Sequence, residues 1–306
     1  MPLAILRARA TTSRLHHILR ATRVLRGTSR TCSDSRSHSK GHTWELLNRI
    51  PTPACLDPAA PQTSTSTFYP PEIEALYRGN QRFRDAVAAS ATPNVLKDLA
   101  AQGQRPPFLL LDCSDSRVGE QVIFSVEPGV LFTTGNVANQ FHEHDLNSKA
   151  VLAYAVDALR VKHVIVMGHY GCGGVAAATL PHDARDQDDP VQAWIAPIRH
   201  IYETSERPEI ASHRAARKES GAKPAPPHLH DAGFRALVEE NVKANVRRVA
   251  RSVVISNHYK SLETDTERIG VFIHGWVYDI ETGEVADLGV TVGPPGQTLP
   301  HTPFSL

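Results

Sequence analysis

Two short apolar runs, FLLL at 108–111 and VIVM at 164–167, each lead into a polar motif: CSDSR at 113–117 and HYGCGG at 169–174. An apolar run of this length closed by turn residues reads as a strand buried on both faces, and such strands belong to parallel sheets covered by helices. Helical spacing fills the intervals. Leu146, Ala150, Ala153, Val156 and Leu159 mark a helix over 146–159, and Phe234, Leu237, Val238, Val242, Val246 and Val249 mark a long one over 231–252. The alternation predicts an α/β fold, with a mostly parallel central sheet and crossover helices. Ligands of such sheets bind beyond the carboxyl ends of the strands, where both motifs fall.

The remaining elements are placed around this frame. Residues 70–90 predict an N-terminal helical arm, with Pro71 in its first turn and Ile73, Leu76, Tyr77, Phe83 and Val87 on one side. VLFT at 130–133 predicts a further strand, and VQAWIAPIRHI at 191–201 a helix despite Pro197. The charged, Pro-rich stretch 203–230 reads as a mobile insertion. GVFIHGWVYDI at 270–280 and VADLGVT at 285–291 flank a turn containing Gly283 and predict a C-terminal β-hairpin.

Of the 306 residues, 41% are hydrophobic, enough for one sizeable core, and the net charge of +1 offers no field for nucleic acid or a membrane surface. No stretch approaches the ~18 apolar residues of a spanning helix. Residues 1–40 are rich in arginine and serine, with Asp34 the only acid, and Leu15, Ile18, Leu19 and Leu25 share one helical face. That composition predicts a transit peptide over 1–44 and residence in the mitochondrial matrix; a basic tail that binds acidic surfaces is the competing reading. Residues 45–69 read as a linker, 70–294 as the folded domain and 295–306 as a tail. The four cysteines are too few for a disulfide framework. A second CSDSR, at 32–36, follows no strand and is assigned no chemistry.

The chemistry therefore rests on Cys113, His169 and Cys172. Two thiolates and an imidazole suit zinc, and three protein ligands leave one position open, the mark of a catalytic rather than a structural ion. One Zn2+ per chain is expected. The glycines at 168, 171, 173 and 174 let the chain bend closely around it. Two thiolates cancel the dication's charge, so a bound water should titrate above the ~7 of the most acidic zinc sites, with activity rising with pH. Asp115 and Arg117 form a candidate gate: the carboxylate can reach the ion, and the guanidinium fork can hold it away.

These motifs, in this order and spacing, resemble the β-class carbonic anhydrases. GQRPPF at 103–108, EPGVLF at 127–132, GNVAN at 135–139, YAV at 154–156, EENV at 239–242 and GWVYD at 275–279 extend the resemblance over about 70–291. It implies reversible hydration of CO2 to bicarbonate and a proton by zinc-bound hydroxide, with Cys113, His169 and Cys172 as ligands and Asp115–Arg117 as the orienting dyad. It further implies that Gln104 hydrogen-bonds substrate across a dimer interface, that Phe132, Val137 and Tyr154 line an apolar CO2 pocket, and that the Gly173 amide faces substrate. The implied assembly is a homodimer, often paired into a tetramer, with the N-terminal helix wrapping its partner. Regulated members build a non-catalytic bicarbonate pocket from a Trp and an Arg. Here Leu110 and Gly135 stand at those positions, so the pocket is expected to be absent and the ion open to water; Ala153 replaces a common Glu. His142, His144 and His258 are candidate proton shuttles, none preferred. Hydrolysis of carbonyl sulfide or carbon disulfide on the same scaffold, and a zinc-stabilised binding module, are the alternatives.

Overall fold

The apolar runs become strands where the sequence predicts them, in a computed structural model that describes residues 70–181, 189–220, 225–265 and 267–304. The chain divides into two units, Met1–Thr43 and Trp44–Leu306, and all described residues belong to the second. The transit-peptide and linker expectations lie outside the described residues.

Strands β1 (Phe108–Cys113), β2 (Leu131–Asn136), β3 (His163–His169) and β4 (Phe272–Tyr278) run parallel in the order β2-β1-β3-β4, and β5 (Val285–Asp287) closes the edge antiparallel to β4. Leu111 pairs with Val166, so β1 and β3 end side by side. β2 runs on to Asn136, past the predicted VLFT. The β4–β5 hairpin turns at Gly283, whose φ of 80° needs no Cβ. β5 is shorter than VADLGVT, because Gly289 turns left-handed and pairing resumes only at the Ile273–Val292 bridge.

Nine helices are assigned among the described residues: α1 (Pro71–Ala88), α2 (Val95–Gln102), α3 (Glu120–Ile123), α4 (Leu146–Ala153), α5 (Gly173–Ala178), α6 (Pro190–Thr204), α7 (Pro208–Ser220), α8 (Ala232–Arg251) and α9 (Val253–Ser261). The helix expected over 146–159 changes pitch: α4 passes into a π-helical turn at Tyr154–Ala158, closed by the Leu159 amide on the Tyr154 carbonyl (3.0 Å). Part of the stretch read as a mobile insertion is α7, whose Ile210 is fully buried.

Period-two alternation sorts the sheet's side chains onto two faces. Leu109, Leu111, Val164, Val166, Ile273 and Val277 pack under α8 and α6, which contribute Leu237, Val242, Val246, Ile195 and Ile198. Each such buried side chain contributes ~1.5–3 kcal/mol. Leu110, Ile165, Met167 and Trp276 form a thinner layer on the opposite face, with Val118 and the partly buried Ile123 and Phe124. Phe304 tilts against Trp276 there, ring centroids 4.9 Å apart, so the C-terminal segment folds back on the sheet as far as that ring. α1 buries nothing: Leu76 is 73% exposed and Tyr77 63%. No helix among the described residues is long and apolar enough to cross a membrane.

Candidate metal centre

Cys113 is the last residue of β1, His169 the last of β3, and Cys172 caps the start of α5. Adjacent parallel strands thus deliver the first two groups side by side, and Gly171, at φ 75°, turns the chain so that the third reaches back. One ligand atom from each lies within 4.8 Å of the others, and all three residues are buried. The sulfurs of Cys113 and Cys172 are 3.9 Å apart and form no disulfide.

The donor atoms face one another. Nδ1 of His169 lies 3.0 Å from the Tyr170 carbonyl. A carbonyl only accepts, so Nδ1 donates to it and Nε2 is the ring atom left to face a cation. Nε2 is buried and has no hydrogen-bond partner. Leaving it so costs ~1–3 kcal/mol, a cost that a cation removes. Hydrogen bonding to Cys172 pulls the Cys113 thiol well below the ordinary range, and the same contact, with burial, pushes Cys172 above it. A dication would take both as thiolates. This donor set fits zinc.

Arg117 grips Asp115 with Nε on Oδ1 (2.8 Å) and Nη2 on Oδ2 (2.7 Å), and the Arg117 amide adds a third bond to Oδ1 (3.0 Å). These bonds, the Arg117 side chain foremost, hold the carboxyl down to about 2 against burial. Asp115 Oδ2 lies 3.7 Å from His169 Nε2. The carboxylate therefore borders the cluster while the arginine holds it, and the same Nη2 reaches the Gly171 carbonyl (3.2 Å).

A carbonic anhydrase family model matches residues 108–285. A carbonic anhydrase of Emericella nidulans is 36% identical over 202 residues, 65% of this chain and 76% of that one. The solved Coccomyxa β-carbonic anhydrase, in complex with acetazolamide, is 29% identical with a TM-score of 0.57, over 72% of this chain and 87% of that one. This chain belongs to the β-carbonic anhydrase family. A tetrameric β-carbonic anhydrase of Sordaria macrospora shares the fold, with a TM-score of 0.58 over 73% of this chain and 100% of that one, at 24% identity.

Measured against the sequence expectations for a β-carbonic anhydrase, the residues fall in three groups. Cys113, His169, Cys172, Asp115 and Arg117 come together. Phe132 and Tyr154 pair with ring centroids 5.9 Å apart, Val137 lies against Gly174, and a Cβ at Gly173 would meet nothing within 4 Å. Gln104 stands apart on the exposed loop before β1 and makes no hydrogen bond with the described residues. Of the three histidines, His258 is buried with Nε2 on the Ile269 carbonyl (2.9 Å), His144 is exposed, and His142 packs on Trp194 at 4.4 Å. Leu110 is fully buried, and a Cβ at Gly135 would stand 3.3 Å from Ser114 Oγ and 3.4 Å from Asp112 Oδ1. Sequence reasoning missed Asn241, Asn245 and Ala138. The two asparagines stand four residues apart on α8, and both are fully buried, which the sequence does not disclose.

Proposed function

We propose that this chain catalyses the reversible hydration of CO2, the general reaction of its family, at a zinc ion held by Cys113, His169 and Cys172. One observation carries the reading: three convergent donors with an unpartnered Nε2, beside a carboxylate pinned by Arg117. Zinc held there would supply the Lewis acidity that lowers the pKa of a bound water, less far than at sites with three neutral ligands. Asp115, ionised and acceptor-only, would orient the attacking oxygen by accepting a hydrogen bond from its remaining O–H. Arg117 keeps the carboxylate in that role. Phe132, Val137 and Tyr154 offer CO2 an apolar wall, and the Gly173 amide a donor for the product oxygen. A small apolar substrate gains orientation from such a wall rather than tight binding.

Leu110 and Gly135, at the positions of the family's regulatory pocket, support a centre that bicarbonate does not close; Asp112, whose carboxyl burial pushes up to about 9, and Ser114 border Gly135 instead. The exposed face of α1 and the solvent-facing Gln104 support a homodimer, or a tetramer, in which the partner completes the pocket. The arginine-rich, acid-poor residues 1–44 support delivery to the mitochondrial matrix, which a fluorescent protein fused behind them would report.

Stopped-flow CO2 hydration with metal analysis tests the reaction. Turnover with one zinc per chain, both lost in Cys113→Ser, is expected. Bound zinc with no turnover would leave a zinc-stabilised binding module, and turnover of carbonyl sulfide alone would name a different substrate.

A further inference from the structure

Arg207 and Leu229, near the two ends of the stretch 203–230, have no part in the chemistry above, yet both reach the metal loop. Leu229 lies against it directly: a Cβ on Gly171 would stand 2.9 Å from Leu229 Cδ1. Arg207, just before α7, reaches it through a relay. Its Nη1 pairs with Glu239 Oε2 on α8 (2.7 Å), and Glu239 Oε1 accepts from the Tyr170 hydroxyl (2.9 Å). Glu209 and Glu240 share the same guanidinium (3.2 Å each), and Glu240 also pairs with Lys243 (3.0 Å). Two residues along α8 from Glu239, Asn241 donates to the Ala138 carbonyl (3.0 Å) in the turn after β2. A Cβ on Gly174 would stand 3.0 Å from Ala138 Cβ, so α8 backs the metal loop at both ends.

Tyr170 follows His169, and its carbonyl is the one 3.0 Å from Nδ1. That carbonyl belongs to the peptide leading into Gly171, at φ 75°. Glycine takes either sign of φ with little penalty, so such a peptide turns over easily unless it is held. Turned over, it would deprive Nδ1 of its acceptor and the ring of its fixed aim. Tyr170 is held on three sides. Its amide donates to the Tyr278 carbonyl (3.0 Å). Its ring lies under the Arg235 guanidinium, 3.4 Å from the centroid, and Arg235 is tied to Asp279 (3.0 Å). Its hydroxyl is fixed by Glu239. A buried phenol is satisfied by any acceptor. Here the acceptor is a charged group with a side chain only 13% exposed, which needs Arg207 beside it.

We propose that Glu239, braced by Arg207, is a positioning residue for His169: it anchors Tyr170 so that the Tyr170 carbonyl stays on Nδ1 and Nε2 stays aimed at the cation. The role rests on the metal reading above. It assigns the two ends of 203–230 the buttressing of the metal loop. Partners of metal ligands commonly govern affinity 10–100-fold.

Cobalt(II) loaded into the full-length chain provides the test, because its unpaired electrons shift the ring N–H of a bound histidine far outside the ordinary proton spectrum. One such exchangeable signal, from His169 Nδ1–H, is expected, slow to exchange with solvent while its acceptor is in place. Tyr170→Phe removes only the hydroxyl and leaves Glu239 paired with Arg207. It should lose that signal to fast exchange and speed cobalt loss to a chelator by ~10–100-fold. Glu239→Met attacks the same bond from its other side and should give the same two effects if Tyr170→Phe does not fold. Bound cobalt without the exchangeable signal in the parent chain, or a signal and chelator rate unchanged in the folded variants, would overturn the positioning role alone. A chain that binds no cobalt would overturn the metal reading and this role together.

Discussion

Arg117 directs two nitrogens at separate oxygens of Asp115 and shares one of them with the Gly171 carbonyl. Lysine would bring the charge without the fork. Arg117→Lys is expected to lower kcat/KM by ~10–100-fold in stopped-flow hydration while metal per chain stays constant; a parallel loss of metal would make Arg117 a prop for the ligand loop instead. Gly174 is tight for a different reason. Any side chain there must displace Val137 and Ala138, so Gly174→Ala should cost ~1–3 kcal/mol in urea unfolding. At this scale the convergence of Cys113, His169 and Cys172 was legible because H-x-x-C in a Gly-rich turn after one apolar run joins C-x-D-x-R after another. Asn241 was not, since a buried asparagine means nothing until the turn it holds is visible from 103 residues away along the chain.

Among the elements, β3 and α8 meet where Gly168 leaves room. A Cβ there would stand 2.6 Å from Val242 Cγ2, and one on Gly275 of β4 equally close to Val290 Cγ2. Gly168→Ala should therefore lift α8 from the sheet at a cost of ~1–3 kcal/mol, read as a lowered urea midpoint. The start of α8 offers a milder test: Asp231 accepts from the Phe234 amide at 3.0 Å, and Asp231→Ala should cost about 1 kcal/mol in the same assay. Periodicity found β1, β3, β4, α1 and α8, because long apolar patterns have one structural solution. It missed α7, whose PEIASHRAARKES has a solvated face and few apolar residues. The π-helical turn at Tyr154 was also invisible, since pitch is set by what a helix packs on. Ser252 ends α8 and caps α9 at once, with Oγ accepting from the Ile255 amide, so one serine divides two helices.

At the scale of the molecule, the sheet class could be read from strand–helix alternation, but the order β2-β1-β3-β4-β5 could not, because no local signal names a strand's neighbour. Solvent conditions act at this scale too. His274 is buried between His163 (2.9 Å) and Thr291 (3.0 Å), and burial, then the neighbouring His163, lowers it from 6.5 to about 4. Between those values the unfolded chain binds more protons than the folded one, so stability rises with pH; the contribution is complete above 6.5 and lost as pH falls through 4. Wild type should lose up to about 3 kcal/mol more than His274→Gln between pH 7 and pH 4 in urea titrations. The bare stripe of α1 makes the other whole-molecule prediction. Leu76→Asp should shift sedimentation from dimer or tetramer toward monomer and depress turnover with it; an unchanged assembly would remove α1 from the interface.

The sulfurs of Cys113 and Cys172 stand 3.9 Å apart, and a cystine needs ~2.05 Å. A cation bridging them is thus also a spacer, separating two atoms that an oxidant would join. Loading and oxidation compete for one pair of thiolates, and in such a chain the supply of metal must outpace oxygen.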